Sequence, residues 1–321
     1  MFGKSAIAVL AVGLAAPAFF AQRGDAPRRQ AKLDEKQSDQ FTIQTTSRLV
    51  LLDVSVKDTK GGFVSGLAKD DFKVYENGKQ QEISQCANAD IPVTVGIVVD
   101  ESGSMRPKRP EVLTAALAFI TASNPRDEVF VINFNDRVYR GLPDGVLFSD
   151  NIKQLRAALR KDPPEGRTAL YDAILTALRQ LDQGRQDKKT LVLISDGGDN
   201  ASTHKLKETM DAVLQSAATI YTIGIYDEDD PDRNPGVLKN LARLSGGDAF
   251  FPRTLEGMVP ACRQIAKDIR TRYTIGYVPS VDNGKRRRSV RLTVNSPDRR
   301  RLIARTRTGY VFPETSSGAE Q

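Results

Sequence analysis

Four short runs, at residues 93–99, 129–134, 191–194 and 219–225, constrain the fold more than anything else in this chain. The first, interrupted only by Thr94, and the third are continuous apolar runs, and a strand that is apolar at successive positions is buried on both faces. Between and after them lie segments with apolar residues at helical spacing: 110–122, 152–159, 168–181, 204–216, 236–244 and 254–270. The third is the clearest, with Ala169, Leu170, Ala173, Ile174, Ala177, Leu178 and Leu181 on one stripe. Short strands are expected at 138–139 and 249–251. Strands that alternate with helices imply a mostly parallel, doubly wound α/β sheet of Rossmann-like type, covered on both faces. Residues 91–270 are assigned to it.

The flanks read differently. Residues 48–57 are β-rich and stop at the turn 58–62, and Asn77-Gly78 joins the runs 72–75 and 82–83 in the strongest short hairpin signal. After Arg270 the β pattern returns at 273–278, 289–294 and 301–306, with turns at Asp282-Asn283-Gly284 and Ser296-Pro297-Asp298. Isolated hairpins are marginal. Residues 41–90 and 271–313 are therefore expected to pair into one small β-sandwich-like module with the α/β domain inserted between them, leaving 314–321 as a polar tail.

At the N-terminus Lys4 precedes an apolar run over 6–21 that is broken by Gly13 and Pro17. It is shorter than the roughly 20 residues of a membrane span. Ala16-Pro17-Ala18 is a small-x-small cleavage site and Ala21 a second. The expectation is a signal peptide over 1–21, a disordered polar linker over 22–40, and a periplasmic or extracellular protein; an uncleaved anchor is the alternative. Export permits disulfides, so Cys86 and Cys262 are either bridged or two free thiols.

Composition excludes several chemistries. With one histidine, His204, and two cysteines, the usual Cys/His zinc site, iron–sulfur and haem ligation lack ligands. His204 lies in a polar stretch with no nucleophile motif beside it and reads as a surface residue. The net charge of +7 is local: residues 285–307 hold ten Lys/Arg against one acid, Asp298. That is not the global excess of a nucleic-acid binder. The Arg-rich strands read as a charged, solvated face, with membrane-surface or polyanion contact as the alternative.

Ligands of an open α/β sheet sit beyond the carboxyl ends of its strands. There the chain places Asp100-Glu101-Ser102-Gly103-Ser104, then Gly166-Arg167-Thr168 ahead of the long helix, then Ser195-Asp196-Gly197-Gly198-Asp199. Asp100, Ser102, Ser104, Thr168 and Asp196 are hard oxygen donors, which suit Mg²⁺, with Mn²⁺ or Ca²⁺ as alternatives. Asp199 is a second candidate for the place of Asp196. Were the site only structural, the serines would cap a helix and Asp196 would be a turn residue. The acidic stretch 227–232 lacks the glycine and terminal glutamate of a calcium loop.

Asp100-x-Ser102-x-Ser104, Thr168 within Gly-Arg-Thr-Ala-Leu-Tyr-Asp-Ala and Asp196 within Ile-Ser-Asp-Gly resemble the metal-ion-dependent adhesion site (MIDAS) of von Willebrand factor type A domains. Leu244-Ser245-Gly246-Gly247-Asp248 is also similar to that family. The motifs Asp71-Phe72-x-Val-Tyr-Glu-Asn-Gly and Tyr273-x-x-Gly-Tyr277 resemble a bacterial exported group within it. The resemblance implies that Ser102, Ser104 and Thr168 touch the metal while Asp100 and Asp196 act through water. It also implies a non-enzymatic binding protein whose ion engages a Glu or Asp of a macromolecular partner, a protein rather than a nucleic acid. Loops 105–110 and 227–232 would choose that partner. A structural envelope protein with a purely stabilising metal is one alternative. A Mg²⁺-dependent phosphoryl hydrolase is another, although Ser102 stands where its second carboxylate would be needed.

Overall fold

The computed structural model describes residues 49–161, 163–226, 231–280, 286–296 and 301–311. The expected signal peptide, the linker, residues 227–230 and the polar tail lie outside the described residues. In chain order the elements are β1 (Val50–Asp58), β2 (Phe72–Glu76), β3 (Lys79–Gln81), β4 (Ile83–Ala87), β5 (Val93–Asp100), α1 (Arg109–Ala122), β6 (Glu128–Phe134), β7 (Val138–Arg140), α2 (Ile152–Ala158) and α3 (Leu170–Leu181). There follow β8 (Lys188–Ser195), α4 (Leu206–Gln215), β9 (Thr219–Gly224), α5 (Pro235–Ser245), β10 (Ala249–Phe250), α6 (Met258–Thr271), β11 (Tyr273–Tyr277), β12 (Arg287–Val294), β13 (Leu302–Arg305) and β14 (Gly309–Val311).

The central sheet runs β10-β9-β8-β5-β6-β7, parallel except for the edge strand β7. Every residue of β5 and β6 is buried, as their sequences require. Helices α1 and α6 pack together, and α3, α4 and α5 form a second row. Ile97, Ile132, Phe130, Leu193 and Leu170 fill the core between these layers, each buried side chain contributing about 1.5–3 kcal/mol. Strand β5 lies between β8 and β6, so the chain leaves it in opposite directions on its two sides. Such a reversal opens a crevice at the carboxyl ends of the strands.

The flanks supply two four-stranded sheets, β13-β1-β11-β4 and β14-β12-β2-β3, each mixing strands from both ends of the chain. Their shared core is Leu52, Val54, Phe72, Val74, Tyr273, Ile275, Tyr277 and Val290. Asn77 and Gly78 take positive φ at 49° and 83° in the β2–β3 turn, the conformation for which Asn-Gly is suited. The two flank motifs meet in space. Glu76 receives hydrogen bonds from Tyr277 Oη and Tyr310 Oη, both at 2.7 Å, and pairs with Arg288 Nη1 at 2.6 Å. Strand β14, which carries Tyr310, was not foreseen from the sequence.

A buried polar joint binds the inserted domain to this module. Asp268 of α6 accepts from Ser55 Oγ of β1 at 2.5 Å and from Tyr221 Oη of β9 at 2.9 Å. Arg272, between α6 and β11, donates to Tyr221 Oη, to the carbonyl of Asp53 and to that of Gly246. Asp248 pairs with Lys57 at 3.3 Å and with Arg305.

Both cysteines are free thiols, in separate environments: Cys262 lies in the core of the α/β domain, and Cys86 packs against that of the β module. The solvated-face reading of the Arg-rich strands holds for Arg286, Arg287, Arg291, Arg301 and Arg305, which are exposed, but not for Arg288 and Arg307. Arg288 is buried against Glu76, Arg307 donates to the carbonyls of Leu214 and Ser216, and Arg291 lies over Tyr75. Lys285, Arg299 and Arg300 lie outside the described residues. Among the described residues no helix is long and apolar enough to cross a membrane.

Candidate metal centre

Strands β5 and β8 are parallel neighbours paired Val99 with Ile194, so Asp100 and Ser195 follow side by side at the carboxyl edge. Ser195 Oγ donates to Asp100 Oδ2 at 2.6 Å, and the Ser102 amide donates to Asp100 Oδ1 at 2.9 Å. From there the donors form a chain. Ser102 Oγ lies 3.2 Å from Ser104 Oγ, and Ser104 Oγ donates to Asp196 Oδ2 at 2.7 Å. Asp196 Oδ1 is held by the Gly198 amide at 2.9 Å.

Thr168 joins through its backbone. The Gly103 amide donates to the Gly166 carbonyl at 3.1 Å, the amides of Asn200 and Ala201 donate to the Thr168 carbonyl, and Asn200 Oδ1 accepts from the Thr168 amide. The loops carrying all five predicted residues are thus laced together at the sheet's switch point. Asp100, Ser102 and Asp196 are 1–3% exposed while Ser104 is half-buried, so the centre meets solvent on the Ser104 side.

A purely structural role for these serines predicts a hydroxyl capping the short helical turn after Ser102. Ser102 stands at that cap position, yet its side chain makes no capping bond. The loop 103–108 therefore starts without using the hydroxyl that the site needs. Asp199 does not substitute for Asp196. It accepts from Ser202 Oγ at 2.5 Å and from the Tyr171 amide at 3.2 Å, which spends it on the start of α3. Glu101 turns away to pair with Arg109 at 3.2 Å. His204 is exposed, as expected, with Nδ1 2.6 Å from Asp172.

Electrostatics favour a cation here. Burial, and then the neighbouring Asp196, push the Asp100 carboxyl up to about 7, against the hydrogen bonds from Ser102 and Ser195. None of the groups acting on it is basic. Two buried carboxylates and three hydroxyls on laced loops form a donor set whose repulsion a divalent ion relieves. The residues present thus fit a hard cation. Among the described residues no three His, Cys, Asp or Glu side chains group together as metal ligands.

Ser195 is the residue the sequence reading passed over. Its neighbour Asp196 drew attention as a carboxylate, while the role of Ser195 follows only from the β5–β8 register. Met105, expected on the partner-selecting rim, is instead 1% exposed and packs in the core, leaving Arg106, Pro107 and Pro110 outside.

Residues 95–198 match the sequence model of the von Willebrand factor type A domain. No curated protein matches the chain. A von Willebrand factor type A structure from Catenulispora acidiphila aligns at 15% identity with a TM-score of 0.51, covering 84% of this chain and 76% of that one. An aerotolerance-related membrane protein from Bacteroides fragilis gives 16% and 0.45, over 55% of this chain and 98% of its own. Proximal thread matrix protein 1 of the mussel byssus, with a zinc-occupied MIDAS motif, gives 15% and 0.48, over 62% and 50%. Sequence and fold agree: this chain carries a von Willebrand factor type A domain, set into a β module made from its own two flanks.

Proposed function

We propose that this is an exported, non-enzymatic binding protein whose hydroxyl-rich centre takes one divalent cation, Mg²⁺ before Mn²⁺ or Ca²⁺. With that ion it engages a Glu or Asp of a protein partner. The observation that carries this reading is the continuous donor chain Asp100–Ser102–Ser104–Asp196 on hydrogen-bonded loops, with the Ser102 hydroxyl not used as a cap. Ser102, Ser104 and Thr168 would hold the ion, and Asp100 and Asp196 would bind through water. The ion supplies positive charge in a poorly solvated crevice. Neutral hydroxyls leave most of that charge unquenched, so an incoming carboxylate gains more than it would from a surface salt bridge. The chain's own residues orient the site: Ser195 and the Ser102 amide fix Asp100, and the Gly198 amide fixes Asp196. Modules of this domain family generally bind rather than catalyse, in keeping with the absence of a second carboxylate two residues after Asp100.

Calorimetric titration of the full chain with Mg²⁺ and Mn²⁺ tests the metal: one weak site, lost in Asp100→Ala and in Ser102→Ala. Capture from an envelope extract in Mg²⁺ against excess chelator tests the partner, and Thr168→Ala should mimic chelator without unfolding the domain. Unchanged metal binding in both variants, chelator-insensitive capture, or enzyme-like turnover of phosphate esters would overturn the proposal.

A further inference from the structure

The motif Leu244-Ser245-Gly246-Gly247-Asp248 plays no part in the metal centre. It lies between α5 and β10, at the amino end of a parallel strand and so at the opposite end of the sheet. There the backbone of the β module passes close by: a Cβ placed on Gly246 would stand 2.3 Å from the Arg307 nitrogen. Beside this contact a cleft of about 540 Å³ opens between α5 and β10 on one side and β12 and β13 on the other. That volume is within the range of roughly 300–1,000 Å³ of small-molecule sites, which favour domain interfaces.

The lining is amphipathic in an ordered way. Val290, Leu292, Ala304 and Phe251 form an apolar side. Lys239 and Arg243 stand one turn apart on α5 and line the same cleft. Residues four apart on a helix have Cβ atoms about 5–6 Å from each other, a spacing that one carboxylate can bridge. Lys239 Nζ lies 5.1 Å over the Phe251 ring, and Arg243 reaches only Asn240 Oδ1 at 3.4 Å. Neither has a carboxylate partner among the described residues. The acid in the lining, Asp248, is taken by Lys57 and Arg305. The Thr306 hydroxyl, on a residue that also lines the cleft, is buried without a hydrogen-bond partner.

The geometry points to a second ligand site, independent of the metal centre, that takes an amphipathic monocarboxylate of the free fatty-acid type. Its head sits between Lys239 and Arg243, and its chain lies on Val290, Leu292, Ala304 and Phe251. Unpaired cations beside an apolar wall select a single negative charge with a hydrocarbon body. A cationic amphiphile of equal length meets the same wall and the wrong charge.

Dodecanoate below its micellar concentration, titrated into the full chain by calorimetry in excess chelator, tests the site without the metal. One molecule should bind per chain, and dodecyltrimethylammonium at least tenfold more weakly. Lys239→Glu/Arg243→Glu, on the exposed face of α5, should lower dodecanoate affinity at least tenfold with an unchanged melting temperature. Ala304→Trp, which fills the cleft, should abolish binding; should that variant unfold, the charge-reversal pair decides alone. Failure of dodecanoate to bind at millimolar concentration, equal binding of the cationic amphiphile, or unaltered affinity in the charge-reversed chain would overturn the proposal. Asp100→Ala should bind dodecanoate normally, so the two functional readings fail separately.

Discussion

Replacing Arg272 with Met should be among the most damaging single changes to this protein. Arg272 is 2% exposed and Asp268 1% exposed, with Nη1 3.8 Å from Asp268 Oδ2. Arg272 also satisfies Tyr221 Oη and the carbonyls of Asp53 and Gly246. Lys57, 3.9 Å from Asp268, compensates only part of the charge left behind, and removing one partner of a buried pair typically costs about 3–5 kcal/mol. For a chain of this size that corresponds to a fall of roughly 10 °C in melting temperature. Asp268→Leu should be comparably harmful, because it strands Arg272 together with the hydroxyls of Ser55 and Tyr221. The double variant Arg272→Met/Asp268→Leu removes both charges and fills their space. It should cost less than the two singles together, with a coupling of about 1–3 kcal/mol. Urea unfolding followed by far-UV circular dichroism and tyrosine fluorescence measures this, since the chain has no tryptophan. Because the pair touches β1, β9, α6 and the turn after α5, the two probes should keep one shared transition in the wild type and separate in Arg272→Met. Single variants costing under about 1 kcal/mol, or strictly additive losses, would show that the joint is not a coupled network.

Three further outcomes follow from the described contacts. Ser195→Ala removes the 2.6 Å hydrogen bond that orients Asp100 and should weaken Mn²⁺ affinity about tenfold, read by calorimetry, with little loss of fold. Gly197→Ala should destabilise the Asp196 loop and lower both melting temperature and metal affinity, because φ is +87° and a Cβ would stand 2.4 Å from the Asn234 carbonyl oxygen. Asp127 is pushed up to about 6, chiefly by burial, against the amide bonds from Val93 and Asn124. A carboxyl raised in the folded state contributes stability that is full below its unfolded value of about 3.9 and lost as pH rises through the folded value. The melting-temperature advantage of the wild type over Asp127→Asn should therefore shrink from pH 4 to pH 7.

The inserted sheet was legible because burial on both faces leaves an unmistakable pattern. Residues 93–99 and 191–194 could hardly be anything but central strands, and they lie within β5 and β8. The candidate ligand residues could be found by the same logic, since each follows a buried strand or precedes a helix. Helix α3 begins at Leu170 rather than at 168, because the Thr168 carbonyl accepts from the amides of Asn200 and Ala201 and the Asp172 amide that would bond it in a helix donates to Ser202 Oγ. Strand β14 escaped notice: three residues on a sheet edge carry too little periodicity to stand out. Ser195 and the Asp268–Arg272–Tyr221 joint depend on register and on an inserted topology. No local pattern announces that Ser55 will meet Asp268 across 213 positions.

The threading of the β module also orders its assembly. Strands β4 and β11 pair directly, Ala87 against Thr274, with the whole α/β domain between them. Closing an unstructured loop of that length would cost about 4–5 kcal/mol by the logarithmic law of loop entropy. If the inserted domain folds first, its base brings the two strands near each other and much of that cost is already met. A growing chain therefore completes β1 to β4 early and can close the β2–β3 hairpin, but β1 and β4 have no sheet neighbour until β11 and β13 follow. During that interval Leu52, Val54, Phe72 and Val74 have no opposing layer, and the edges of β1 and β2 are open to other chains. The N-terminal flank is thus exposed to aggregation while the chain is being made.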